Sequence, residues 1–206
     1  MIFAAFDIGN VLCFFNIYRF TQKLSAITGI SDDNAYFVLE HIQNMQDIGV
    51  TKVSHALKYR FPSMQQAELE ELMACWNSTV TPSDMMMNFL GTLRHEGVKI
   101  ALLSNMGPEH LSHLRGAVPE MFENAVQHIS CEVGARKPCK LYYQSFCMDH
   151  NDFSGSVYID DVEDNLRAGK KYGFKVYNFN LDEISKLSAS KQKTELDGLK
   201  RLIYNK

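Results

Sequence analysis

Ile2-Phe3-Ala4-Ala5-Phe6-Asp7-Ile8-Gly9-Asn10-Val11-Leu12 opens the chain with an apolar run that carries one carboxylate near its end and then a glycine. A continuous apolar run this short reads as a strand buried on both faces, the kind found in parallel sheets. In an open α/β sheet, ligands bind beyond the carboxyl ends of the strands, and Asp7 would stand there. Taken alone, an Asp-x-Gly serves equally well as a helix cap or a turn. The remaining segments have to choose between these readings.

Beyond Leu12 the period changes. Ile17, Phe20, Leu24 and Ile27 recur at three- and four-residue spacing, and Gly29 stands where a helix would stop. Ser31 can cap a second helix bearing Ala35, Val38, Leu39 and Ile42. Thr51 opens a third, with Val53, Ala56 and Leu57 inward, and Pro62 breaks it. Ser63 and Gln66 form a capping-box pattern before Leu69, Leu72, Met73 and Trp76. The expectation is an all-helical insert of four short helices over residues 15–78, set into a core made of 1–14 and 79–206.

After the insert, strands and helices alternate. Thr81-Pro82-Ser83-Asp84 reads as a helix start with proline at the first helical position, and that helix ends near Gly97. Val98–Leu103 reads as a strand with Ser104-Asn105 just past it, then Pro108–Leu114 as helix and Ala125–Ile129 as strand. Pro138–His150 reads as helix, Val157–Ile159 as a strand ending in Asp160-Asp161, Asp164–Tyr172 as helix, Lys175–Phe179 as strand, and Asp182–Tyr204 as a polar helix. This alternation predicts an α/β fold, a Rossmann-like parallel sheet with helices on both faces, plus the small helical insert. Trp76 and the Met85-Met86-Met87 run read as packing.

The totals exclude several functions. The chain has 206 residues, 46% of them apolar, and a formal net charge of −3. That balance leaves no footprint for nucleic acid or an anionic membrane surface. No apolar run approaches the ~20 residues that span a bilayer, and the N-terminus lacks a basic leader with a small-residue cleavage site. Five scattered cysteines without a Cys-x-x-Cys read as free thiols in a reducing, cytoplasmic setting.

Polar residues collect at four strand or loop ends: Asp7, Ser104-Asn105, Lys137 and Asp160-Asp161. Together they supply an anionic nucleophile, hydroxyl and amide donors, one cation, and an acid pair suited to a hard divalent metal such as Mg²⁺. Phosphoryl transfer needs this set. A metal lets a carboxylate approach an anionic phosphate, while lysine and serine orient its equatorial oxygens. Asp7 would attack in line, and water would cleave the resulting aspartyl-phosphate.

Phe6-Asp7-Ile8-Gly9-Asn10-Val11-Leu12, Leu102-Leu103-Ser104-Asn105, Gly134-Ala135-Arg136-Lys137-Pro138 and Tyr158-Ile159-Asp160-Asp161-Val162-Glu163-Asp164-Asn165 resemble, in order, the four motifs of the haloacid dehalogenase-like hydrolases. The insert resembles the small cap of the subclass that carries it between motifs one and two. The Asp-Ile-Gly-Asn-Val opening and the Arg-Lys-Pro motif look most like sugar-1-phosphate phosphatases and the phosphatase domain of soluble epoxide hydrolase. The resemblance implies a Mg²⁺-dependent phosphatase of a small phosphorylated metabolite. It makes Asp7 the nucleophile and a metal ligand, and lends the Gly9 carbonyl to the metal. Ser104, Asn105 and Lys137 would sit at the phosphoryl group, Asp161 would be the main acidic metal ligand, and Asp160 a second ligand or an orienter. Asp164 and Asn165 fit helix capping as well as support of the site. Asp47-Ile48-Gly49-Val50-Thr51 is similar to the subclass's loop that faces the active site, and equally fits an ordinary helix–helix turn.

One position departs from the pattern. Most phosphatases of that family carry a second aspartate, the general acid and base, two residues after the nucleophile. Here that position is Gly9. General acid–base help is worth about 10²–10⁴-fold, so its loss implies either substrates whose leaving group needs little protonation or a weakly active binding protein. His110 and His113, three residues apart on a helix, read as solvent-facing and outside the site. The rival chemistry is dehalogenation, which uses the same nucleophile on carbon but gains nothing from an acid pair at Asp160-Asp161.

Overall fold

The structure, a computed structural model, describes residues 1–205. Strand β1 (Ile2–Phe6) leads through a tight turn into the short β2 (Cys13–Phe15). Four helices follow, α1 (Tyr18–Thr28), α2 (Asp32–Gln46), α3 (Val53–Arg60) and α4 (Gln66–Asn77), and the chain returns through β3 (Val80–Pro82). Then come α5 (Asp84–His95), β4 (Val98–Ser104), α6 (Pro108–Ala117), the single-turn α7 (Pro119–Phe122) and β5 (Ala125–Ile129). After these lie the single-turn α8 (Ser130–Val133), α9 (Lys140–Asp149), a 3₁₀ turn (Asn151–Phe153), β6 (Val157–Asp160), α10 (Glu163–Lys171), β7 (Lys175–Asn178), α11 (Leu181–Ser185) and α12 (Ala189–Tyr204).

Five strands form one parallel sheet in the order β5-β4-β1-β6-β7. β1 is central, so the chain builds outward from it first on the β4 side and then on the β6 side. The side chains alternate as strand geometry requires. Ala4, Phe6, Ile100 and Leu102 enter a core with Met86, Leu90, Leu111 and Leu199. Ala5, Ala101 and Leu103 enter another with Tyr142, Tyr143, Phe146 and Leu166. Helices thus cover both faces, which is why β1 and β4 read as unbroken apolar runs.

Helices α1–α4 pack around a third cluster that includes Phe20, Leu24, Leu39, Leu57, Leu72 and Trp76. Gly29 ends α1 with φ +72°, and the Ser31 hydroxyl accepts the Asn34 N–H at 3.3 Å to cap α2. Four local expectations shift. The capping box belongs to Gln65 and Glu68, whose carboxylate accepts the Gln65 N–H at 2.7 Å, rather than to Ser63 and Gln66. Pro82 ends a strand instead of starting a helix. β3 pairs antiparallel with β2, a two-stranded ribbon with no central position for proline to disrupt, and Ser83 caps α5. Helix α3 begins at Val53 rather than Thr51 and takes its cap from far along the chain. Glu109 on α6 accepts the Val53 N–H at 2.7 Å and the Ser54 N–H at 3.1 Å. The tail forms two helices, α11 and α12, where one was expected.

All five cysteines are free. Among the described residues, no helix is long and apolar enough to cross a membrane.

Candidate active site

The strand order sets the site. β1 is flanked by β4 and β6, and Phe6 lies level with Leu102 on one side and Ile159 on the other. The next residues along all three strands therefore meet at the carboxyl edge, where the chain's two directions of winding part. Asp7 stands there, tied by its own N–H to the Ile159 carbonyl at 2.9 Å. Its Oδ1 accepts from the Ile8 N–H at 2.7 Å and from Lys137 Nζ at 3.0 Å. Among the described residues no donor is assigned to its Oδ2, so one oxygen is held and the other is open.

Lys137 is buried, with its ammonium on three acceptors: Asp7 Oδ1, Asp160 Oδ2 at 2.6 Å and the Leu103 carbonyl at 2.7 Å. An ammonium has three protons, and all three are used. In this arrangement Lys137 holds the Asp7 carboxylate. Asn105 does not offer its amide outward either. Its Oδ1 accepts the Lys137 N–H at 2.7 Å and its Nδ2 donates to the Lys137 carbonyl at 2.9 Å, pinning that backbone. Ser104 ends β4, buried.

Asp160 is fully buried and crowded with donors. Lys137, Tyr158 Oη and Asn165 Nδ2 reach its Oδ2, and the Val162 N–H and Asn165 Nδ2 reach its Oδ1. That matches an orienting carboxylate better than a ligand. Asn165 thus supports the site, while Asp164 points away in an exposed pair with Arg167. Asp161 is more open, and Asn10 donates to its Oδ2 at 3.2 Å. The latter contact needs an unusual backbone: Asn10 sits at φ +51°, a region asparagine tolerates better than most residues. Sequence reasoning passed over Asn10. The cue, an asparagine directly after a glycine turn, is shared by countless ordinary turns.

Carboxylate oxygens of Asp7, Asp160 and Asp161 lie within 4.8 Å of one another. Burial raises the carboxyl of Asp7, against the opposing pull of Lys137 and with the repulsion of Asp160 and Asp161 added. Burial likewise raises Asp161. Three carboxylates share a single ammonium, so the cluster is short of positive charge. An all-oxygen set of this kind fits a hard divalent cation such as Mg²⁺.

A cavity of about 340 Å³ opens beside this edge, between the sheet and the helical insert. Gly9, Asn105 and Arg136 line it from the sheet side, with Asn44, Gln46 and Asp47 opposite. The turn after α2 therefore does face the site. Arg136 bridges the two parts, donating to Asn44 Oδ1 and lying 3.5 Å from Asp47. Gly49 makes the approach possible. At φ +76°, an added Cβ would lie 2.4 Å from the Cys131 carbonyl oxygen. His110 corrects the expectation of a solvent-facing side chain. It is buried, stacked on Trp76 at 4.1 Å, with Nε2 against the Trp76 carbonyl and Thr79 Oγ1. It also borders the cavity, and burial lowers its pKa to about 4, so it is neutral at pH 7.

No family model and no curated protein matches the sequence. Solved structures do match. A HAD family enzyme from Bacteroides thetaiotaomicron, solved with magnesium and inorganic phosphate, superposes with a TM-score of 0.73 at 21% identity, over 86% of this chain and 93% of that one. A predicted HAD-like hydrolase from Porphyromonas gingivalis gives 0.73 at 16% identity over 100% and 99%. The L-2-haloacid dehalogenase from Xanthobacter autotrophicus gives 0.55 at 18% over 96% and 83%. The chain has the fold of the haloacid dehalogenase-like hydrolases.

Proposed function

We propose that this protein is a phosphatase of small phosphorylated metabolites, a haloacid dehalogenase-like hydrolase that works with Mg²⁺ through an aspartyl-phosphate on Asp7. One observation carries the reading: an Asp7 carboxylate with one oxygen held by Lys137 and the other free, within reach of an acid cluster that lacks positive charge. The magnesium and phosphate bound by the Bacteroides enzyme support it.

Asp7, Asp161 and the Gly9 carbonyl would hold the cation, with Asp160 orienting Lys137. The cation would supply the positive charge that lets a carboxylate meet a dianionic phosphate. Lys137 and the Ile8 N–H fix the Asp7 carboxylate through Oδ1 and leave Oδ2 open, which would remove much of the orientational cost of attack. Ser104 and the amides beyond β4 would take equatorial phosphoryl oxygens. Attack displaces the leaving alcohol, and water then cleaves the acyl phosphate and regenerates Asp7. Residues 15–78 act as a cap that closes the cavity over the leaving group.

The test is phosphate release from sugar, nucleotide, acyl and aryl phosphates with and without Mg²⁺. Asp7→Asn is expected to fall to background on all of them, and activity surviving that substitution disproves the nucleophile. The dehalogenase related in fold keeps a second chemistry in view. Halide release from 2-haloacids without Mg²⁺ dependence would favour it over phosphate release.

A further inference from the structure

Gly9 leaves a physical gap as well as a chemical one. An added Cβ there meets nothing within 4 Å, and its φ lies outside the left-handed region. The space a catalytic carboxylate would fill is open, and it belongs to the cavity under the insert. Across that same cavity stands Asp47, at the C-terminal end of α2, with a side chain only 11% exposed. Resting on the phosphatase reading above, we propose that Asp47 is the general acid and base of this enzyme, delivered from the cap in place of the carboxylate missing at Gly9.

The surroundings suit that work. Gln46 Nε2 donates to Asp47 Oδ1 at 3.0 Å, which aims the carboxyl. Burial raises its pKa to about 6, with the Arg136 guanidinium and the Gln46 amide pulling the other way. A carboxyl in that range keeps a protonated fraction of about a tenth at pH 7, far more than an ordinary aspartate, and can both give and take a proton near neutral pH. The other ionisable groups nearby are Cys131, whose thiol is itself pushed up by burial, and Tyr36, Glu40 and the neutral His110 on the cavity wall. Arg136 adjoins Lys137 in sequence and Asp47 in space, so the loop that positions the nucleophile also positions the acid.

The steps balance. Asp7 Oδ2 bonds to phosphorus, the phosphorus–oxygen bond to the leaving group breaks, and the Asp47 proton goes to that oxygen to release an alcohol. The Asp47 carboxylate then takes a proton from the water that attacks the aspartyl-phosphate. The bond to Asp7 breaks, inorganic phosphate leaves, and Asp47 is protonated again. This predicts activity on alkyl phosphates, the sugar phosphates among them, whose alkoxides need a proton.

The experiment compares Asp47→Asn with wild type on glycerol 3-phosphate, a poor leaving group, and p-nitrophenyl phosphate, a good one. Asp47→Asn should lower kcat/KM on the first by about 10²–10⁴-fold and on the second by less than about tenfold. The limb of the wild-type pH profile that falls as Asp47 ionises should appear for the alkyl substrate and vanish in the variant. Adding Gly9→Asp to Asp47→Asn should restore alkyl turnover. Equal losses on both substrates, or none, overturn the assignment. Should Asp47→Asn misfold, the wild-type profiles still decide, because an alkyl limb no different from the aryl one overturns it too. Asp7-dependent release that ignores Asp47 sinks the acid alone. Absence of any Asp7-dependent release sinks the phosphatase reading and this one with it.

Discussion

Lys137 shows how much a single side chain here depends on others. A buried ammonium is costly unless every proton finds an acceptor, and Lys137 meets three. The attraction of Asp160 and Asp7 raises its pKa above the usual lysine value, against the opposing effect of its burial. Asp47 is the contrary case, a carboxyl whose burial is not fully offset. Its folded pKa of about 6 lies above the 3.8 of a free aspartate, so the folded state binds the proton more tightly. Its destabilising contribution therefore grows as pH rises from about 4 to about 6 and is complete above that. Asp47→Asn should stabilise the protein at pH 8, by up to about 3 kcal/mol, and change nothing at pH 3.5. Urea unfolding at the two pH values checks this. A gain of the same size at both would show that the charge is not the cause.

At the scale of elements, the insert is fastened to the rest of the fold by contacts that no local pattern announces. Glu109 on α6 caps α3 across 56 residues, and the negative carboxylate also suits the positive end of that helix. The turn after α2 rests on the main chain at Cys131, a contact that only a residue without Cβ permits at Gly49. Gly29 also has positive φ, but faces open space. Gly29→Ala should cost about 1 kcal/mol for the backbone alone. Gly49→Ala should cost more, about 2–3 kcal/mol, and should also impair turnover, because the turn carrying Asp47 must move. Thermal melts with parallel phosphate-release assays distinguish the two positions. Equal costs with unaltered activity would mean the turn is not docked as described.

Over the whole molecule, the acid cluster links stability to the cation. Three carboxylates crowd the central edge of the sheet with one ammonium among them. A divalent cation that binds the folded state alone raises stability by RT ln(1 + [L]/Kd), about 2.7 kcal/mol at a hundredfold excess over Kd. Mg²⁺ should therefore raise Tm by several degrees, with no substrate present. Asp161→Ala should abolish the shift while Asp164→Ala keeps it, since Asp164 is paired at the surface. Differential scanning fluorimetry across a Mg²⁺ titration reads this directly. A full shift in Asp161→Ala would remove that residue from the metal set.

The central strand, the alternation after residue 83 and the polar residues at the ends of β1, β4 and β6 and in the loop before α9 were legible in the sequence. Each rests on a short unbroken apolar run, on helical spacing, or on a residue type just past the end of such a run, and all are local properties. The helical insert was legible for the same reason, through its 3.6-residue period and the glycine at 29. The β2–β3 ribbon was not, because three-residue strands are too short to show a period and pair only through a partner 69 positions away, as Cys13 does with Pro82. The sharing of roles at the site was equally hidden. Composition names Lys137, Asn105, Asp160 and Asp47 as polar residues, but their donors and acceptors come from segments that meet only when β1 is flanked by β4 and β6. Folding turned Asn105 and Asp160 inward to hold Lys137, sank His110 behind Trp76, and brought Asp47 across the cavity from Gly9. Strand order and the seating of the insert bring about these pairings, and both depend on contacts between residues far apart in the chain.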